Sequence, residues 1–174
     1  MLVGIDVGTT NCKFLAEGHS EQCFRISYTA VKNPSYKEID PTCIVDNLIK
    51  CFEKLKPENV SGVAVTGQMH GIMCWDKNFN PTTNLITWED TRCSQVANFL
   101  SRLMILSDKF YQAFCDEVSQ GGRLHPGYGL ATLLWLRKNE PTCLSTAFAA
   151  GTIMDYIVAR LTDNLRPRMP RVQK

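Results

Sequence analysis

Gly4-Ile5-Asp6-Val7-Gly8-Thr9-Thr10-Asn11-Cys12-Lys13 sets an acid inside an apolar run, then a Gly-Thr-Thr-Asn turn, then a second apolar run. Residues 2–7 read as a strand, 12–16 as its hairpin partner and 22–30 as a third strand, with Glu17 to Glu21 turning the second pair. The opening is thus expected to be a three-stranded meander. Glycine at a hairpin tip lets an anion approach the backbone N–H groups closely. Around Gly8, the side chains of Thr9, Thr10 and Asn11 add donors and Lys13 adds a point charge. Asp6 is the wrong sign for a phosphate, but it suits a magnesium ion held through its water shell. Two readings stand on these residues: a phosphate-binding hairpin, or a plain hairpin with a satisfied acid. The stretch is not a Walker A loop, because no Gly-Lys-Ser/Thr follows at the required spacing.

Beyond the meander the apolar period changes. Ile44, Val45, Leu48, Ile49, Phe52 and Leu55 fall on one helical face, with Asp40 to cap, Pro41 in the first turn and Pro57 to stop it, so the pattern predicts a helix over 41–55. Residues 60–66, 71–75 and 84–88 read as short strands. Helices are expected at about 93–106, 108–118, 128–139 and 152–162. A β-β-β-α-β start followed by helices implies an α/β domain with a mixed sheet. The last nine residues, 166–174, hold four cations and two prolines without apolar periodicity, and are read as an unpacked tail to a domain spanning 2–165.

Three more stretches carry chemistry. Thr66-Gly67-Gln68-Met69-His70-Gly71 lies between two strand-like runs and can present Gln68 and His70 to hydroxyl groups, with Met69 against a carbon skeleton; a hairpin with a surface histidine is the plainer alternative. In Thr87-Trp88-Glu89-Asp90-Thr91-Arg92 the indole face suits the C–H surface of a sugar; a core tryptophan beside a structural ion pair is the alternative. Asp90 and Arg92 either bond hydroxyls or pair with each other. The glycine-rich run 121–129 precedes a helix and is either a loop that closes over a ligand or a simple connector.

Composition narrows the class. A net charge of +2 gives no basic footprint for nucleic acid or a lipid surface. No stretch reaches the roughly 20 apolar residues of a membrane span, and the first residues lack a signal peptide's basic region. The eight cysteines show neither CxxC nor zinc-finger spacing, so free thiols in a reducing, cytoplasmic setting are expected. No Ser/His/Asp set or metal cluster stands out.

Taken in order, these segments resemble the FGGY family of carbohydrate kinases. Gly4-Ile5-Asp6-Val7-Gly8-Thr9-Thr10 is similar to that family's first phosphate motif, Thr66–Gly71 to its sugar-contacting turn, and Trp88-Glu89-Asp90-Thr91-Arg92 to its Trp-x-Asp-x-Arg segment. The runs 127–136 and 151–156 most resemble the sedoheptulokinase members, whereas xylulokinase members tend to carry Thr-Ala-Pro-Lys where this chain has Gly129-Leu130-Ala131-Thr132. The resemblance covers residues 2 to 167. It implies the N-terminal, ribonuclease-H-like domain of the actin and sugar-kinase ATPase fold, and transfer of the γ-phosphoryl group of ATP to a terminal hydroxyl of a seven-carbon ketose. It further implies Asp6 as the magnesium residue, with Gly8, Thr9, Thr10, Asn11 and Lys13 facing the phosphates. Gln68, Met69, His70, Trp88, Asp90 and Arg92 would line the sugar site. The family's catalytic acid and its adenosine-binding half are implied to lie beyond residue 174, which leaves this chain with half a site. After Arg166-Pro167 the sequence departs from the family pattern.

Overall fold

Strand β1 (Leu2–Val7) buries Val3, Ile5 and Val7, and β2 (Asn11–Ala16) buries Cys12, Phe14 and Ala16, while the alternate residues face outward. This period of two makes one face of each strand a core surface. The two strands pair antiparallel, and β3 (Gln22–Arg25) continues the hairpin series. The computed structural model describes residues 1–27, 36–95 and 127–163.

Strand β4 (Glu38–Ile39) leads into helix α1 (Pro41–Leu55). Asp40 Oδ1 accepts from the Thr42 N–H at 2.8 Å, and the helix ends where Lys56 turns left-handed, with φ of 42°. Ile44, Leu48 and Cys51 face the sheet, and Phe52 meets the Phe14 ring edge-on at 4.7 Å. The helix is the crossover that carries the chain to β5 (Gly62–Gly67), which pairs parallel to β1 and gives the order β3-β2-β1-β5.

Two small ribbons follow. β6 (Met73–Trp75) pairs antiparallel with a later strand, and β7 (Leu85–Ile86) pairs with β4. Arg92–Gln95 form one 3₁₀ turn. Helices α2 (Gly129–Asn139) and α3 (Pro141–Ser145) then lead to β8 (Ala149–Gly151), the partner of β6, and α4 (Ile153–Thr162) closes the described chain. Thr152 and Asp155 form a reciprocal capping box at its start. Ile153, Tyr156, Ile157 and Ala159 join α1 and the buried sheet face in one core.

The expected mixed α/β sheet and the 41–55 helix are both present. Several strands are shorter than the pattern suggested: β3 stops at Arg25, and β7 holds two residues of the expected 84–88. Of the helix expected at 93–106, residues 93–95 are the 3₁₀ turn and the remainder lies outside the described residues, as do the 108–118 helix and the 166–174 tail. All seven described cysteines are unbridged. Burial pushes the Cys12 thiol up to about 12 and those of Cys74 and Cys93 to about 11. No helix among the described residues is long and apolar enough to cross a membrane.

Candidate functional site

Parallel strands end at the same edge of a sheet, so β1 and β5 deliver their outgoing turns side by side. Val7 and Gly67 are their last paired residues. The Gln68 N–H donates to the Val7 carbonyl at 2.8 Å, and a Cβ at position 67 would stand 2.5 Å from that same oxygen. Only glycine permits this approach. The Gln68 side chain is buried and its Nε2 donates to the Gly8 carbonyl at 3.4 Å, while its Oε1 is buried with no partner. Within the first turn Gly8 N–H donates to the Asn11 carbonyl, and Ile26 N–H to that of Thr10. The Gly8–Asn11 tip is thus built by its own hairpin and braced from β5.

The second brace comes from β7. Thr87, just beyond it, is fully buried and donates its N–H and hydroxyl to the Lys37 carbonyl. The turn that follows swings Trp88 out to 44% exposure, where its indole Nε1 donates to Thr9 Oγ1 at 3.0 Å. Of the two alternatives that the sequence left open for Asp90 and Arg92, the mutual pair is formed. Both are buried and bonded to each other, with Arg92 Nε to Asp90 Oδ1 at 2.8 Å and Arg92 Nη2 to Asp90 Oδ2 at 2.8 Å. Arg92 Nη2 also donates to Glu38 Oε1, and the Lys37 N–H donates to Asp90 Oδ2. The guanidinium sits 4.0 Å from the Tyr36 ring centre and 5.1 Å from that of Trp135. Burial alone would lower its proton affinity, but its hydrogen bonds to Asp90 and Glu38 outweigh that and raise it. Arg92 is therefore a buried cation paired with two carboxylates.

His70 is exposed and holds a left-handed backbone, with φ of 70°, a conformation uncommon for a residue with a side chain and found often at functional turns. Its ring stacks on Tyr128, with centres 4.3 Å apart and planes 16° apart. Gly127 presses on the Trp88 backbone so closely that a Cβ there would fall 1.8 Å from the Trp88 carbonyl oxygen. Met69 stands beside them at 65% exposure. The four separate sequence stretches thus converge: the 8–11 turn, the 67–71 turn, the Trp88 turn and the start of α2. The sequence reading missed Glu38, Tyr36, Trp135 and Tyr128. Nothing local in the sequence links Trp135 to Arg92.

Asp6 and Lys13 lie elsewhere on the same hairpin. They are cross-strand partners on the outward face of the sheet, and Thr66 flanks Asp6 on β5. Together with Gly4, Leu15 and Ala64 they line an open concavity of about 390 Å³. Among the described residues no group of three or more His, Cys, Asp or Glu side chains could hold a metal. A lone exposed carboxylate fits a hydrated magnesium ion, which takes one or two carboxylates and fills its remaining positions with water and phosphate oxygens.

The N-terminal domain model of the FGGY family of carbohydrate kinases matches residues 1–168. Mouse sedoheptulokinase is 32% identical over 96% of this chain, and xylulose kinase of Staphylococcus xylosus is 29% identical over 94%. The chain spans 39% and 34% of their lengths, respectively. Among solved structures, gluconate kinase from Lactobacillus acidophilus superposes with a TM-score of 0.72 at 22% identity, covering 91% of this chain and 32% of that one. Plasmodium falciparum glycerol kinase with ADP gives 0.67 at 23% identity, covering 94% and 35%. These structural likenesses establish the sugar-kinase ATPase fold for the described sheet and helices. On the match of the family model to residues 1–168, the chain belongs to the FGGY family of carbohydrate kinases, of which it carries the N-terminal domain.

Proposed function

We propose that the chain contributes the sugar-facing and phosphate-facing surfaces of an ATP-dependent ketose kinase, with sedoheptulose as the first candidate substrate. The observation that carries this reading is the contact between the two halves of the site. The residue that offers an aromatic face to a sugar, Trp88, touches the hairpin tip that offers donors to a phosphate, at Thr9. The identity with sedoheptulokinase supports the choice of ketose, and the ADP named with the glycerol kinase structure supports an adenine nucleotide.

In this reading Gln68, Met69, His70 and Trp88 hold the ketose, and Asp90 and Arg92 fix the floor beneath it. The N–H groups and side chains of Gly8, Thr9, Thr10 and Asn11 receive the phosphates, with Lys13 as a point charge. A magnesium ion held through water by Asp6 would neutralise charge on the phosphate oxygens. Phosphoryl transfer depends mainly on positioning and electrostatic stabilisation, so the work of these residues is to align acceptor hydroxyl and donor phosphate. The acid that would orient the sugar hydroxyl is expected outside this chain, which is therefore proposed to bind without appreciable turnover.

The test is calorimetric titration of the folded chain with sedoheptulose and, separately, with xylulose. Saturable binding of sedoheptulose that disappears in a His70→Ala, Trp88→Ala double variant is the expected result. Tighter binding of xylulose would reassign the substrate within the family, and a folded chain that binds neither sugar would overturn the reading.

A further inference from the structure

The contacts between the two turns do more than bring them together. An indole N–H is a donor with no acceptor capacity, so in the Trp88 Nε1 to Thr9 Oγ1 bond the threonine oxygen must accept. The hydroxyl proton of Thr9 is then left to donate elsewhere, in a direction set by the indole. Gln68 acts on the neighbouring residue in the same sense. Its N–H and its Nε2 hold the Val7 and Gly8 carbonyls, and this leaves Oε1 as a buried acceptor that lacks a donor. A residue only 8% exposed with one unmet acceptor has room in its hydrogen bonding for one more donor, a water or a ligand hydroxyl.

We infer that Trp88 and Gln68 are positioning residues for the phosphate hairpin as well as walls of the sugar site, and that ketose and phosphate occupancy are linked through them. The inference rests on the function proposed above and goes further, because it assigns the link to two named contacts inside one domain. A ketose lying on Trp88 immobilises the indole and with it the Thr9 hydroxyl. A ketose hydroxyl donating to Gln68 Oε1 fixes the amide that holds Gly8. Both effects order the hairpin tip before a phosphate arrives, so the second ligand meets a surface already set. Linkage requires the effect to be reciprocal: phosphate must tighten ketose binding by the same factor.

The experiment is a binding cycle on the full chain, with sedoheptulose as the ketose and magnesium tripolyphosphate as the phosphate probe. Each affinity is measured with and without the other ligand. Two variants separate the link from the sugar surface. Trp88→Phe keeps an aromatic face and removes the N–H, and Thr9→Val keeps the shape and removes the hydroxyl. In the unaltered chain each ligand is expected to tighten the other about five-fold or more, within the usual range of coupling between sites. The factor should fall in both variants, toward what the Gln68 contact alone carries, whatever each substitution does to the affinity for either ligand by itself.

The indole ¹H–¹⁵N resonance of Trp88 reads the contact directly without ligand, and it should shift in Thr9→Val. A coupling factor undiminished in both variants, or an indole resonance unmoved by Thr9→Val, overturns the inference and leaves the function standing. Two ligands that bind independently to the unaltered chain do the same. A folded chain that binds neither ligand defeats the function and the linkage together.

Discussion

At the scale of single residues, Arg92 and Trp88 lie four positions apart and are held in opposite ways. Arg92 is buried, bonded to Asp90 and Glu38, and covered by the rings of Tyr36 and Trp135. Removing one member of a buried ion pair leaves the other as an uncompensated charge, which typically costs about 3 to 5 kcal/mol. Arg92→Leu is therefore expected to lose about that much stability in urea unfolding, because it strands Asp90 at 1% exposure. A loss below about 1 kcal/mol would mean that water reaches Asp90 once the guanidinium is gone. Trp88→Phe removes only a half-exposed contact, and it is expected to unfold within about 1 kcal/mol of the unaltered chain. Only half of this was legible in the sequence. The acid-glycine-threonine turn could be read because hairpin chemistry is local. The fate of Arg92 could not, because Glu38 lies 54 residues away and no spacing rule connects them. The spacing of Asp90 and Arg92 allowed a sugar contact as readily as a pair, and it was the partners brought by β4 and α2 that decided.

At the scale of elements, legibility followed how much of each element's stability is local. Helix α1 runs from Pro41 to Leu55 as the sequence indicated, because its cap, its proline and its apolar face are all written within those residues. β8 was invisible. Ala149-Ala150-Gly151 has no strand preference of its own, and it is a strand only because β6 offers it a partner, with Gly151 lying under the Trp75 ring. The start of α4 was placed within one residue, and its cap is a separable quantity. Thr152 Oγ1 accepts from the Asp155 N–H at 3.3 Å, and Asp155 Oδ2 accepts from the Thr152 N–H at 2.8 Å. Thr152→Ala removes one of the two, and it is expected to cost about 1 kcal/mol, the usual worth of such a cap. Thr152→Ser should retain nearly all of that stability, since it keeps the oxygen. If the two variants unfold at the same denaturant concentration, the cap contributes nothing and α4 is held by packing alone.

At the scale of the molecule, the sheet β3-β2-β1-β5 has one face against α1 and α4 and another that no described element covers. Phe14 and Leu15 are chain neighbours on opposite sides of it. Phe14 is fully buried against Phe52, whereas Leu15 is 48% exposed and shares the outer face with Leu2, Asp6 and Lys13. Deleting a buried phenylalanine ring costs its transfer free energy and leaves a cavity, together about 3 to 5 kcal/mol. Replacing a half-exposed leucine with a polar residue usually stays within about 0.5 kcal/mol when nothing packs on it. Phe14→Ala is therefore expected to lose several kcal/mol in chemical denaturation, and Leu15→Gln next to nothing. The pair is informative because both substitutions act on one strand, so differences in strand propensity largely cancel. The outer face also carries Asp6 and Lys13, the residues proposed to meet magnesium and phosphate, and a ligand site there requires that face to stay open. If Leu15→Gln costs as much as Phe14→Ala, another part of the chain covers the outer face, and Asp6 would then be shut away from the nucleotide it is proposed to serve.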